Sequence, residues 1–402
     1  MTARRPHAYR PDSSDADIAV STARAVRIAA AVIQQSGASS PADQCLRAEL
    51  KKTRGLNQAT SRLSARMVFA YYRWLGWTKP EAAVEGRVRE AIQIQERFNR
   101  EPDTFSDAAL IEKSIPAWTS DVMPVTAAWV RAIQSEPVLW LRSRPESGEQ
   151  LTSTLPQTLP GPIPDSLIFE GEEDLFTTQE FQAGDFEIQD ITSQIVGWLC
   201  APKPGETWWD ACAGEGGKTL HLSALMQNKG LIWASDRAEW RLNRLKQRTA
   251  RARVFNYRTA SWNGSDKLPT KTLFDGVLLD APCSGLGTWQ RNTHARWTTT
   301  LEDIRELSEL QDRLLQTAAR GVKKGGRLIY SVCTLAQAET SRVSERFGIE
   351  HPEFALEPFA SPLALAGPNL WLWPQDWRGS GMFVTQWRKG ERESEAEGSA
   401  RR

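Results

Sequence analysis

Between residues 206 and 332 this chain alternates short apolar runs with stretches patterned for helices. The runs are ETWWD (206–210), GLIWASD (230–236), RVFNY (253–257), FDGVLLD (274–280) and GGRLIYSV (325–332), and helices are predicted over 218–228, 237–251 and 302–320. Thr300 is the expected N-cap of the last helix, with Glu302 and Asp303 in its electropositive first turn. Strands separated by helices need crossover connections, which dictates a parallel, doubly wound sheet. A sheet of that kind binds ligands outside the carboxyl ends of its strands. Those ends are chemically loaded here. Three of the five runs finish in Asp210, Asp236 and Asp280, and the fifth is followed at once by Cys333.

The turn after the first strand, DACAGEGGKT (210–219), admits two readings. A phosphate-cradling P-loop requires G-x-x-x-x-G-K-[ST]. Counting back from Gly217-Lys218-Thr219, the first glycine falls at position 212, which is Cys212; starting from Gly214 leaves the loop two residues short. The alternative is a nucleoside-cofactor loop, in which Gly214, Gly216 and Gly217 let backbone approach the ligand. Asp236, about twenty residues on, then stands where such sheets place a carboxylate for ribose hydroxyls.

The rest of the chain reads as supporting structure. Residues 1–16 form a flexible leader, and 17–112 a helical region with apolar periodicity over 17–35, 61–77 and 81–97 and Pro80 opening the third helix. A small α+β subdomain is expected over 113–185, with one helix ahead of a strand at 138–142, then the α/β domain over 186–390. That domain closes in an antiparallel hairpin, NLWLWP and GMFVTQWR, and 391–402 is a disordered tail. The 17 Trp serve either packing or base stacking. With 50 basic and 49 acidic residues the whole chain carries no nucleic-acid signature. Residues 237–258, however, hold eight Lys/Arg against Glu239 alone, as a solvated helix face or a phosphate-binding patch. No apolar run reaches the ~18–20 residues that span a bilayer, so no membrane association is expected. Five cysteines without a C-x-x-C pair, and four scattered histidines, argue against a metal site and a disulfide framework and for reduced thiols in the cytoplasm.

The fourth and fifth strands end in DAPCSGLGT and YSVCTL, so Asp280, Cys283 and Cys333 are expected in one crevice beside the cofactor loop. With DACAGEGGKT, these stretches resemble motifs of the RNA cytosine-C5 methyltransferases of the RsmB/Nop/Sun type. The resemblance covers about 176–390, including FQAGDFEIQDITSQ, RNTHARWTTT and LWPQDWRGSGMFVTQWRK. SRLSARMVFAYYRW and SIPAW resemble the NusB-like helical domain and the small RNA-facing subdomain of bacterial 16S-rRNA-methyltransferase-like members.

The resemblance implies a Rossmann-like S-adenosylmethionine-dependent methyltransferase domain acting on RNA, ribosomal rather than transfer RNA, as a monomer. It implies that Cys333 attacks cytosine C6, that Cys283 assists release of the adduct, that Asp280 binds the base near N3, and that Lys218 reaches the same pocket. Cofactor contacts are expected from Asp210, Ala211, Cys212, Ala213, Gly214, Glu215, Gly216, Gly217 and Lys218, and from Asp236, Arg237, Arg241 and Asp280. Trp289, Arg291, Arg296 and Trp297 are candidates to hold RNA by stacking and phosphate contacts. Three departures stand out: Glu215 where members carry Pro, no acid after the third strand, where Ser261 or Asn263 takes its place, and Thr340 where Asn often follows Glu. An RNA-binding or ribosome-assembly factor with a vestigial site is the alternative.

Overall fold

The computed structural model describes residues 15–360, 363, 365 and 367–390; the expected leader, apart from Asp15 and Ala16, and the expected tail lie outside them. The chain divides into two compact units, one of residues up to 116 together with Asn292–Thr298, the other of Ala117–Arg291 and the remainder.

The first unit is helical: Asp15–Gln35, Ala42–Lys52, Gln58–Arg73, Val84–Arg100 and Asp107–Ser114. Its core comes from the apolar faces the periodicity marks, among them Val26, Ala29, Val68, Val88, Ala91 and Phe98, around fully buried Trp74. The Trp74 indole and the Arg73 guanidinium both donate to Gln95 Oε1 at 2.9 Å, so this core holds its polar groups paired. Pro80 does not open a helix; it lies in a turn, and the helix begins at Val84. Two short helices, Ala42–Lys52 and Asp107–Ser114, had no clear period in the sequence.

In the second unit, the single helix expected after residue 115 is two pieces, Thr119–Val122 and Ala127–Gln134. Pro124 forces Met123 into an extended conformation (φ −154°, ψ 158°), which ends the first piece. Four strands follow: β1 (Leu139–Ser143), β2 (Thr158–Pro160), β3 (Ser166–Phe169) and β4 (Phe186–Ile188). They form a small antiparallel sheet in the order β2-β3-β1-β4 over a core that includes Leu141, Leu151, Leu167 and Phe186.

The main sheet contains β5 (Thr207–Asp210), β6 (Leu231–Asp236), β7 (Tyr257–Ser261), β8 (Phe274–Asp280), β9 (Val322–Val332), β10 (Phe354–Leu356), β11 (Asn369–Leu372) and β12 (Met382–Lys389). Its order is β10-β12-β9-β8-β5-β6-β7, with β11 on β12; β7 through β9 are parallel, and β12 pairs antiparallel with β9. This is a Rossmann-like α/β sheet. Successive residues bury into opposite faces, Trp208 in one core and Trp209 in the other. The third strand lies four residues later than RVFNY predicts. The helix Glu239–Arg251 ends in a turn that puts Arg253 at φ +56° and bonds Val254 N–H to Thr249 O, so the chain is not extended until Tyr257. Thr300 caps Leu301–Ala319 as expected, in a reciprocal capping box with Asp303.

Candidate active site

The loop after β5 is built around glycine. Gly214 and Gly216 have φ of +56° and +88°, and a Cβ on Gly216 would stand 2.7 Å from Leu245 Cγ. Asp210 lies behind the loop, fully buried, with Oδ2 accepting from Thr219 Oγ1 at 2.6 Å. Burial pushes its carboxyl up to about 7, the Thr219 hydroxyl only partly opposing. Asp236, at the end of β6, accepts from the Gly214 N–H (3.0 Å) and the Ala238 N–H (2.8 Å), tying the loops after β5 and β6 together.

Beside them lies a cavity of about 330 Å³. Cys212, Ala213, Gly214, Asp236, Arg237, Arg241 and Asp280 of the expected cofactor set line it, as do Trp262, Asn263, Pro282 and Leu314. Ala211, Gly216 and Gly217 of that set are not among the cavity's lining residues. Of the two stand-ins for the missing acid, Asn263 lines the cavity and Ser261 does not. Glu215 also points elsewhere: its carboxylate pairs with Arg244 at 3.5 Å and its carbonyl accepts from Arg248 Nη1 at 3.0 Å.

The ends of β8 and β9 are neighbours, with Asp280 opposite Ser331. Asp280 Oδ1 accepts from Ser331 Oγ (2.7 Å) and Oδ2 from Lys218 Nζ (2.6 Å). Burial works against the Lys218 charge, but the Asp280 carboxylate outweighs it and raises the ammonium's pKa. Lys218 and Thr219 of the GKT run therefore serve two aspartates rather than a phosphate. Cys283 and Cys333 meet at 3.3 Å, Sγ to Sγ. Either sulfur can donate in this contact, and the charges around the pair favour Cys283 as the donor. That hydrogen bond brings Cys333 below the ordinary thiol value against the cost of burial, with Arg291 and Lys218 assisting, and holds Cys283 well above it. The two thiols therefore differ in acidity, Cys333 being the readier to ionise.

Two of the four residues expected to hold RNA reach the surface, Arg291 and, in part, Trp297, and two are buried. Arg291 is exposed, and its Nε donates to Ser380 Oγ (3.2 Å). Trp289 is fully buried against Trp118 and Trp129. Arg296 is fully buried in the helical unit, donating to the carbonyls of Ser114 (2.9 Å) and Arg73 (3.4 Å), and Trp297 Nε1 donates to Tyr72 O (2.6 Å). Nearness in sequence to a strand end does not make a surface; Asn292–Thr298 groups with the helical unit, and Arg296 within it is fully buried. Arg296→Ala is accordingly expected to destabilise the protein by about 3 kcal/mol, because it strands buried carbonyl groups. Urea unfolding measures this; unchanged stability together with weakened RNA binding would restore the RNA-contact role.

The basic run over 237–258 is partly committed to internal pairs. Arg248 (2.8 Å) and Arg251 both bind Glu187 of β4. Glu339 and Gln311 were not among the expected site residues; Glu339 bonds Gln311 and the residues that follow the two thiols, Ser284 and Thr334, and only the tertiary fold brings them together. Thr340 is buried and donates to Ala336 O at 2.9 Å, a local turn contact. Among the described residues no group of three or more His, Cys, Asp or Glu is placed to hold a metal, and no helix is long and apolar enough to cross a membrane.

Residues 197–388 match the family described as 16S rRNA methyltransferase RsmB/F. The chain is 34% identical over 296 residues to the probable ribosomal RNA small subunit methyltransferase B of Synechocystis sp. (69% of this chain, 66% of that protein). It is 37% identical over 165 residues to the mouse tRNA (cytosine(72)-C(5))-methyltransferase NSUN6 (38% and 34%). The match therefore spans less than two thirds of either relative. The crystal structure of PH0851 shares the fold across 92% of this chain and 98% of its own, with a TM-score of 0.73 at 24% identity.

Proposed function

The chain belongs to the RsmB/Nop/Sun-type methyltransferase family, and on that premise we propose that it methylates C5 of a cytosine in RNA through a covalent Cys333–C6 adduct. The observation that carries this is the thiol pair. Two cysteines 3.3 Å apart at the ends of adjacent strands, beside the Lys218–Asp280 pair, are what C5 chemistry needs and what most methyl transfers do not.

The cavity fits S-adenosylmethionine by its own features. Open space lies beside the Gly214 Cα, and the Asp236 carboxylate oxygens keep lone pairs for ribose hydroxyls. Pro282 and Leu314 offer an apolar wall for a purine, with the Asn263 amide in place of the missing acid. When bound there, the cofactor supplies an electrophilic methyl group.

Cytosine C5 is too weak a nucleophile to take that methyl group unaided. The Cys333 thiolate adds to C6, and the ring's electron pair moves towards C5. Asp280, held by Lys218 and Ser331, hydrogen-bonds the base near N3 and stabilises the electron-rich ring. Once Cys333 is bonded to carbon it no longer accepts the Cys283 hydrogen bond. Cys283 can then give its own proton to solvent and, as a thiolate, take the C5 proton as the C6–S bond breaks and its electron pair returns to Cys333. Small-subunit ribosomal RNA is the proposed substrate, since the relative matched over most of this chain is named for it.

Two measurements test this reading. Methyl transfer from labelled cofactor to RNA, followed by nucleoside analysis, should place the label in 5-methylcytidine. Alkylation of Cys333 should follow a single thiolate ionisation below pH 9, reactivity rising with pH until the thiolate is complete. Arg291→Gln should move that midpoint upward by removing a stabilising charge. A midpoint above 9, or one indifferent to Arg291, contradicts the electrostatics.

A further inference from the structure

Glu339 joins the residues that directly follow the two thiols. Its side chain is fully buried after β9, and its carboxylate receives four donors. Oε1 accepts from the Ser284 N–H (2.8 Å) and Gln311 Nε2 (3.0 Å); Oε2 accepts from Thr334 Oγ1 (3.1 Å) and the Ser284 hydroxyl. The Ser284 and Thr334 hydroxyls lie 3.0 Å apart. Gln311 extends the network to the Pro282 carbonyl (2.9 Å), and Tyr330 Oη donates to the Glu339 carbonyl (2.7 Å). Burial alone raises the Glu339 pKa, and the hydrogen bonds oppose that, which is how a carboxylate stays useful in a core.

The two cysteines do not depend on this network equally. Cys333 follows directly on β9, where Val332 is paired with Phe383 of β12, and its carbonyl accepts from the Gly287 N–H at 3.1 Å. Cys283 has left β8 and sits on a loop, flanked by Pro282 and Ser284, the two residues that Gln311 and Glu339 hold.

We propose that Glu339 is a positioning residue that sets the approach of Cys283 to Cys333 and thereby governs release of the RNA adduct more than its formation. The proposal rests on the reading of Cys283 as the group that takes the C5 proton. A carboxylate of purely structural value would, when removed, weaken every step together. One that positions Cys283 leaves the adduct forming and stops it resolving.

The test compares wild type, Cys283→Ala and Glu339→Ala with unmodified small-subunit rRNA and labelled S-adenosylmethionine. Denaturing gels and single- and multiple-turnover rates are the readouts. Glu339→Ala is expected to retain single-turnover methyl transfer within about tenfold, lose multiple turnover by about 10²-fold, and show a persistent covalent protein–RNA band. Equal loss of both rates without a band, while Cys283→Ala traps RNA, overturns the proposal. Absence of the band in Cys283→Ala as well overturns the reading of Cys283 on which it rests. If Glu339→Ala fails to fold by circular dichroism, the Ser284→Ala/Thr334→Val pair decides in the same way, because it cuts both hydroxyl ties and leaves the carboxylate in place.

Discussion

Cys333→Ser is expected to lower methyl transfer by at least about 10⁴-fold while leaving cofactor binding within a few-fold of wild type, the scale of loss seen when an enzyme's nucleophile is removed. The physical reason is the gap between thiolate and alcohol. Cys333 is brought below the ordinary thiol value by the Cys283 hydrogen bond and by the Arg291 and Lys218 charges. A serine hydroxyl in the same place titrates many units higher and presents no anion to C6. Cofactor binding survives because the cavity walls at Gly214, Asp236 and Pro282 do not include position 333. Calorimetric titration of the cofactor beside the transfer assay separates the two. A Cys333→Ser protein within tenfold of wild-type rate would move the chemistry to another acceptor or another nucleophile.

Cys283→Ala is expected to do the opposite to the intermediate. Without the group that removes the C5 proton, the methylated base stays bonded to Cys333, so a stable protein–RNA species accumulates and multiple turnover falls by about 10²–10⁴-fold. Adduct formation should itself slow at neutral pH, since Cys333 loses the hydrogen bond that lowers its pKa, and should recover as pH rises through the displaced pKa. Gel-shifted RNA that resists denaturant, more abundant at pH 9 than at pH 7, is the signature. A Cys283→Ala protein that turns over normally removes this residue from the mechanism.

Much of the site was legible in the sequence because α/β topology turns strand ends into neighbours. Asp210, Asp236, Asp280 and Cys333 each mark the carboxyl end of a strand, and parallel order alone brings them to one edge. The GKT run was also decided by counting, and Lys218 and Thr219 bond Asp280 and Asp210 as a cofactor-loop architecture needs. What sequence could not supply was the fate of segments between strands. Trp289 and Arg296 have the residue types of an RNA contact, but their environment is interior, and residue type does not encode which side of a core a loop will join. The place of Glu339 beside the thiols was hidden for the same reason in reverse, the residue standing out only as the acid before Thr340. A buried acid carries no local mark, and its meaning depends on Ser284 and Gln311, which are 55 and 28 residues away. The late start of β7 is a smaller case, where the left-handed turn at Arg253 outweighed the β propensity of VFNY.

The most direct test of the central claim is labelled methyl transfer to RNA from a strain lacking this gene, with digestion to nucleosides and wild type run beside Cys333→Ser. The account predicts label in 5-methylcytidine from small-subunit ribosomal RNA, present with wild type and absent with Cys333→Ser. Cofactor binding without label in any RNA, or label that persists without the Cys333 thiol, would contradict it.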